Sequence, residues 1–151
     1  MKNESDFLDN QSNVIARLPL LAAGIALIGL ADSIYLMIHH YTGEKVPCSV
    51  VEGCEQVLSS SYAEIAGIPL AIFGAAAYFV AFSLAILAAY GNRSAWTLFG
   101  MQVIVMAAFT AWLVYLQAFV IEAFCQFCLV SAATTFTLLV VYTISRFSRL
   151  R

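Results

Sequence analysis

Apolar residues in this chain neither alternate with polar ones nor recur as narrow stripes; they fill four blocks, over residues 18–38, 68–90, 95–120 and 124–144. Each block has about the 20 residues that an α-helix needs to cross roughly 30 Å of hydrocarbon. A backbone in lipid must satisfy its own N–H and C=O groups, so a spanning segment is a helix or a barrel strand, and barrel strands would alternate. The pattern therefore predicts four transmembrane helices. The first block resembles the apolar core of a signal peptide. However, Glu4, Asp6 and Asp9 precede it, and Ile34, Leu36, Met37 and Ile38 extend it to spanning length. The expected organisation is a polar, loosely ordered tail over 1–16 and one membrane domain over 17–147, an all-α four-helix transmembrane bundle. Residues 39–67 form its one long loop.

Composition agrees with this reading. The chain is 62% hydrophobic and 11% charged, with a mean hydropathy of +0.89, against roughly 25% charged residues in soluble chains. The net charge of −2 gives no reason to expect a strongly acidic or basic partner. The position of the basic residues predicts an orientation, because Lys and Arg flanks are retained in the cytoplasm. With four spans, Lys2, Arg17, Arg93, Arg146, Arg149 and Arg151 fall on one side and Lys45 alone on the other, a split of six to one. Both termini are then cytoplasmic, and the 39–67 loop and the turn near Glu122 face outward.

That orientation puts all four cysteines on the outer side, Cys48 and Cys54 in the long loop and Cys125 and Cys128 where the last helix begins. An oxidising compartment permits structural disulfides, and a bridge closing part of a long loop is a sound reading for the first pair. Zinc is disfavoured, since Cys128 would lie a turn inside an apolar helix, so no metal is expected. Cys125-Gln126-Phe127-Cys128 would staple almost nothing, whereas a helix N-terminus favours a thiolate, as in redox C-x-x-C motifs. Three residues of helix rise about 4.5 Å. Cys125 can thus meet aqueous thiols while Cys128 points toward hydrocarbon, where a membrane quinone is a suitable two-electron acceptor.

Residues 47–74, PCSVVEGCEQVLSSSYAEIAGIPLAIFG, and 124–132, FCQFCLVSA, together resemble the bacterial homologues of the vitamin K epoxide reductase family. The likeness runs across residues 18–144. It implies that Cys48 and Cys54 are a shuttle pair, that Cys125 and Cys128 are an active-site pair beside a quinone (ubiquinone or menaquinone), and that Ser60 and Cys128 contact it. It also implies a short, partly buried helix over 55–65 capping the quinone pocket, with Val57, Leu58 and Ile65 on its apolar side. No thioredoxin-like segment is read in these 151 residues, so the partner that the resemblance implies is a separate DsbA-like thioredoxin-fold protein. The implied activity is reoxidation of that donor at the expense of quinone, in support of disulfide formation, in a bacterial inner membrane. Alternatives are a non-enzymatic scaffold with permanent disulfides, or a reductant exporter running the same chain in reverse.

Two positions depart from the animal enzymes. Their pocket asparagine and tyrosine fall at Leu70 and Ala132, which have no side-chain donor, so quinone reduction is expected rather than epoxide reduction. Asp32 sits inside the first span, where a carboxylate either caps a break or faces a polar cavity. His39 and His40 read as interfacial residues, and Trp96, Trp112, Tyr35, Tyr41, Tyr62 and Tyr115 as interfacial or packing aromatics. Pro69 is expected in the first turn of the second span.

Overall fold

The computed structural model of the protein describes residues 2–48 and 53–150. Its elements are α1 (Lys2–Thr42), α2 (Cys54–Leu58), β1 (Glu64–Ile65), β2 (Ile68–Pro69), α3 (Leu70–Ala89), α4 (Arg93–Phe119) and α5 (Gln126–Leu150). Four helices are long and apolar enough to cross a membrane, over Arg17–Thr42, Leu70–Ala89, Arg93–Phe119 and Gln126–Ser148. α1 packs on α3 and α5, and α4 packs on the same two, so the four close into a bundle with α1 and α4 at opposite corners. Ile28, Phe79, Ile104 and Val140 point outward, as lipid-facing residues should.

Lipid tails are as apolar as leucine, so burial gives little reason for these helices to associate, and close packing of small residues takes over. Ala22, Ala23 and Ala26 of α1 meet Ala81 and Ala85 of α3 in the core. Gly29 leaves the space that the Tyr78 ring fills, and Gly100 does the same for Tyr142. Polar bonds then fix the register. The Tyr78 hydroxyl lies 2.8 Å from the Ser131 carbonyl and 2.7 Å from Thr135 Oγ1, joining α3 to α5. Trp96 Nε1 donates to Ser145 Oγ at 3.0 Å, joining α4 to the far end of α5. Of the two readings open to it, interfacial or packing, Trp96 takes the second, as a core residue stacked on Phe99.

Several boundaries differ from expectation for local reasons. α1 begins at Lys2 instead of following a loosely ordered tail. Residues 2–16 contain no Gly or Pro, and extending a helix adds one bond per residue with no new nucleus to form. The side chains of 1–16, Arg149 and Arg151 lie outside the described residues, Lys2 of the basic set among them. α4 starts at its Asn92 cap, whose Oδ1 accepts from Ala95 N at 3.1 Å. The loop helix expected over 55–65 is only the five residues of α2, ended as Ser59 Oγ donates back to the Glu55 carbonyl. Beyond it lies an unexpected hairpin in which Ile65 pairs with Ile68 and Glu64 with Pro69. Ala66 and Gly67 make its tight turn with φ of 54° and 79°, the conformation that matches strand twist. Pro69 belongs to β2 and precedes α3, one residue earlier than expected.

Candidate active site

The two cysteine pairs are far apart in sequence and share one end of the bundle because each crossing helix returns the chain to it. Cys48 and Cys54 form a disulfide with Cα atoms 6.3 Å apart. Cys125 and Cys128 are thiols. Cys54, Val57, Ala123 and Cys125 make a single buried cluster, with Cys48, Leu58, Phe127 and Cys128 packed around it.

Close backbone contact holds this cluster together. A side chain at Gly53 would meet the Phe124 carbonyl oxygen at 2.7 Å and its nitrogen at 2.9 Å, so α2 lies directly against the strand of chain leading into α5. Gln56 Nε2 donates to the Ile121 carbonyl at 3.3 Å, and Gln126 Nε2 to the Pro47 carbonyl at 3.4 Å, tying the loop to the α4–α5 turn from both sides.

Gln117 shapes that turn. Its backbone carbonyl accepts from Ala123 N at 3.1 Å, and its Oε1 accepts from Cys125 N at 3.1 Å. Between these two bonds Glu122 takes a left-handed φ of 53°, a strain that persists only where surrounding contacts over-determine the chain. Cys125 therefore stands just before α5, buried, its own carbonyl accepting from Leu129 N at 3.0 Å. The Cys128 thiol hydrogen-bonds to the Cys125 sulfur and, with the Cys128 and Phe127 amides, outweighs burial and the Asp32 charge. The Cys125 pKa is lowered from 9.0 to about 7.

Accessibility grades along the four sulfurs. Cys48 is half-buried at the surface, Cys54 and Cys125 are enclosed, and Cys128 opens on the other side into a cavity of about 330 Å³. Val57 and Leu58 of α2 roof that cavity together with Ser60, whose Oγ donates to the Val57 carbonyl at 2.7 Å. Ile65, expected beside them, is exposed and is not part of the lining. Phe73, Met106, Phe109 and Leu113 supply apolar walls, and Asp32, Tyr78 and Gln117 bring polar groups. Leu70 and Ala132 both line the same space.

Residues 20–143 match the vitamin K epoxide reductase family. The chain belongs to this family. It is also similar to the thiol-disulfide oxidoreductase LTO1 of Arabidopsis thaliana, 32% identical over 118 residues, which cover 72% of this chain and 31% of the plant protein. The chain thus spans about a third of the length of that relative.

In this member of the vitamin K epoxide reductase family the sulfurs singled out in the sequence meet at one place, and Ser60 stands at the wall of the cavity that Cys128 enters. Asp32 resolves in favour of the cavity, since α1 runs through it unbroken. His40 lies at the mouth of the cavity, its Nε2 3.5 Å from Glu64 on the hairpin. Sequence reasoning did not find Gln117 or the bonds of Tyr78 to α5. A glutamine inside a 27-residue helix carries no motif, and the only available signal was a polar side chain within an apolar span.

Proposed function

We propose that this protein is a quinone-linked thiol oxidase that takes electrons from a separate thioredoxin-fold protein at Cys48 and releases them into the membrane from Cys128. The observation carrying this reading is the arrangement of the sulfurs, with a surface pair and a cavity-facing pair buried against each other. Permanent structural disulfides need no such arrangement.

The chemistry is a chain of thiol–disulfide exchanges. A partner thiolate attacks Cys48, forming a mixed disulfide and releasing Cys54 as a thiolate. Cys54 attacks Cys125 of the oxidised Cys125–Cys128 pair, and Cys128 leaves as a thiolate. The partner's second thiol displaces Cys48, so the partner departs as a disulfide, and Cys48 then recaptures Cys54 and frees Cys125. The dithiol left at Cys125 and Cys128 holds the partner's two electrons, and its disulfide re-forms as these are given up. Cys125 is suited to be the attacked sulfur, because it is the member of its pair that packs against Cys54.

The cavity fits a quinone ring, being mostly apolar, within the size range of small-ligand sites, and open to Cys128. Cys128, Ser60 and Asp32 would be its polar neighbours. When bound, the quinone supplies a two-electron, two-proton acceptor. Leu70 and Ala132 place no donor toward it, which favours quinone over epoxide as the oxidant. The basic residues Arg17, Arg93 and Arg146 sit at the end opposite the cysteines, which supports cytoplasmic termini and an extracytoplasmic thiol face in a bacterial inner membrane.

Purified protein in lipid nanodiscs, supplied with a reduced thioredoxin-fold donor and a short-chain ubiquinone or menaquinone, should reduce quinone and oxidise donor at one to one. Cys128→Ala should stop quinone reduction. A wild-type protein whose cysteines never change state under these conditions would instead be a scaffold, and the proposal would fail.

A further inference from the structure

The mechanism above uses sulfur at every step and leaves one cavity group without a task. Asp32 lies on α1 within a membrane-spanning segment, where a carboxylate is costly and is kept for a reason. It lines the same cavity as Cys128. Its Oδ2 is buried and meets no hydrogen-bond partner among the described residues. A buried carboxylate oxygen normally has a donor. One left open in the ligand-sized space that a thiol also faces is placed to accept a proton there and give it up again.

We infer that Asp32 is the proton carrier between the Cys128 thiol and the quinone cavity, a role that rests on the quinone-linked reading above. As the Cys125–Cys128 disulfide forms, the pair loses two electrons and two protons, and the quinone gains two electrons and two protons. Asp32 accepts the Cys128 proton at Oδ2 and delivers it to a quinone oxygen, returning to the carboxylate. The Cys125 proton follows through the Cys125–Cys128 hydrogen bond and the same carboxylate to the second quinone oxygen, so two protons leave the pair, two reach the quinone, and the sum balances. The other titratable groups facing this space are His40 of α1, Tyr78 of α3 and Tyr62 of the loop, while α4 contributes only uncharged residues to the lining. Tyr78 is engaged with Ser131 and Thr135, and His40 is paired with Glu64 at the mouth, which leaves Asp32 as the unpartnered base in the space that Cys128 faces.

The test compares wild type, Asp32→Asn and Asp32→Glu. Asn keeps the shape and polarity but cannot carry a proton, and Glu can. Asp32→Asn should slow quinone reduction by about 100-fold or more, the lower end of what general acid–base groups contribute. Reduction of Cys48–Cys54 by the donor should stay within twofold, and Asp32→Glu should recover much of the loss. In quinone-free protein, the pH profile of Cys128 alkylation should be displaced in Asp32→Asn and restored in Asp32→Glu, a change that a packing role would not produce. Quinone reduction by Asp32→Asn at the wild-type rate, with wild type active, would overturn this inference alone. Wild-type protein that exchanges with the donor but reduces no quinone would overturn the underlying reading and this inference with it.

Discussion

Gly53→Ala puts a single methyl between the two halves of the proposed relay. Gly53 has φ of −93° and ψ of 3°, a conformation open to any residue, so the substitution strains no dihedral. The added carbon would lie 2.7 Å from the Phe124 carbonyl oxygen and 2.9 Å from its nitrogen, with the Ala123 methyl at 3.0 Å. These are mainly backbone atoms, and the Cys125 amide next to them is held by Gln117, so the neighbour cannot turn aside as a side chain could. α2 must move outward and carry Cys54 away from Cys125. Overpacking of this kind costs about 1–3 kcal/mol. If that cost falls on the closed arrangement needed for Cys54 to reach Cys125, exchange slows by about 5- to 150-fold. The assay is rapid mixing of oxidised protein with excess reduced donor, followed by an alkylating quench and mapping of the four cysteines over time. The Cys48–Cys54 pair should reduce at the normal rate while reduction of Cys125–Cys128 lags. Gly24→Ala is the control, since a side chain there meets nothing within 4 Å. Wild-type transfer to Cys125 in Gly53→Ala would refute the claim that this contact sets the approach of the two sulfurs.

Removing single sulfurs should trap different intermediates. Cys54→Ala should accumulate a covalent donor adduct at Cys48 on non-reducing gels, and Cys48→Ala an internal Cys54–Cys125 bridge; a donor adduct in Cys48→Ala would reverse the order of the relay. Vitamin K epoxide should be a poor oxidant, because Leu70 and Ala132 offer no donor to the developing oxyanion and one such donor is worth about 2.7–4 kcal/mol. Turnover of epoxide at the quinone rate would contradict that account. Tyr78→Phe removes the hydroxyl bonded to Ser131 and Thr135. It should lower bundle stability by about 0.6–1.7 kcal/mol, read by unfolding in detergent, with an unchanged midpoint counting against this bond as an α3–α5 tie.

The four spans were legible in the sequence because the membrane imposes them. A segment that must satisfy its backbone in hydrocarbon has a required length and an unbroken apolar composition, and both can be read without neighbours. The basic flanks and the C-x-x-C at the head of α5 are local for the same reason, since charge placement and sulfur spacing belong to single stretches of chain. Features that depend on what lies opposite were not legible. Ala66-Gly67 lacks the Asn-Gly or Asp-Gly pair that announces a tight hairpin turn, so β1 and β2 were read as part of a helix. Trp96 could have faced the interface or the core, and only the Ser145 hydroxyl on α5 decided it. Asp32 was equally compatible with a helix break and a cavity until α1 proved continuous and α3, α4 and α5 closed a space around it. Most of all, Cys54 and Cys125 stand far apart along the chain, and nothing in either segment states that they meet. That contact depends on Gly53 admitting the Phe124 backbone and on Gln117 holding the Cys125 amide, because a redox relay needs a close approach of two sulfurs, and only packing between distant segments can create it.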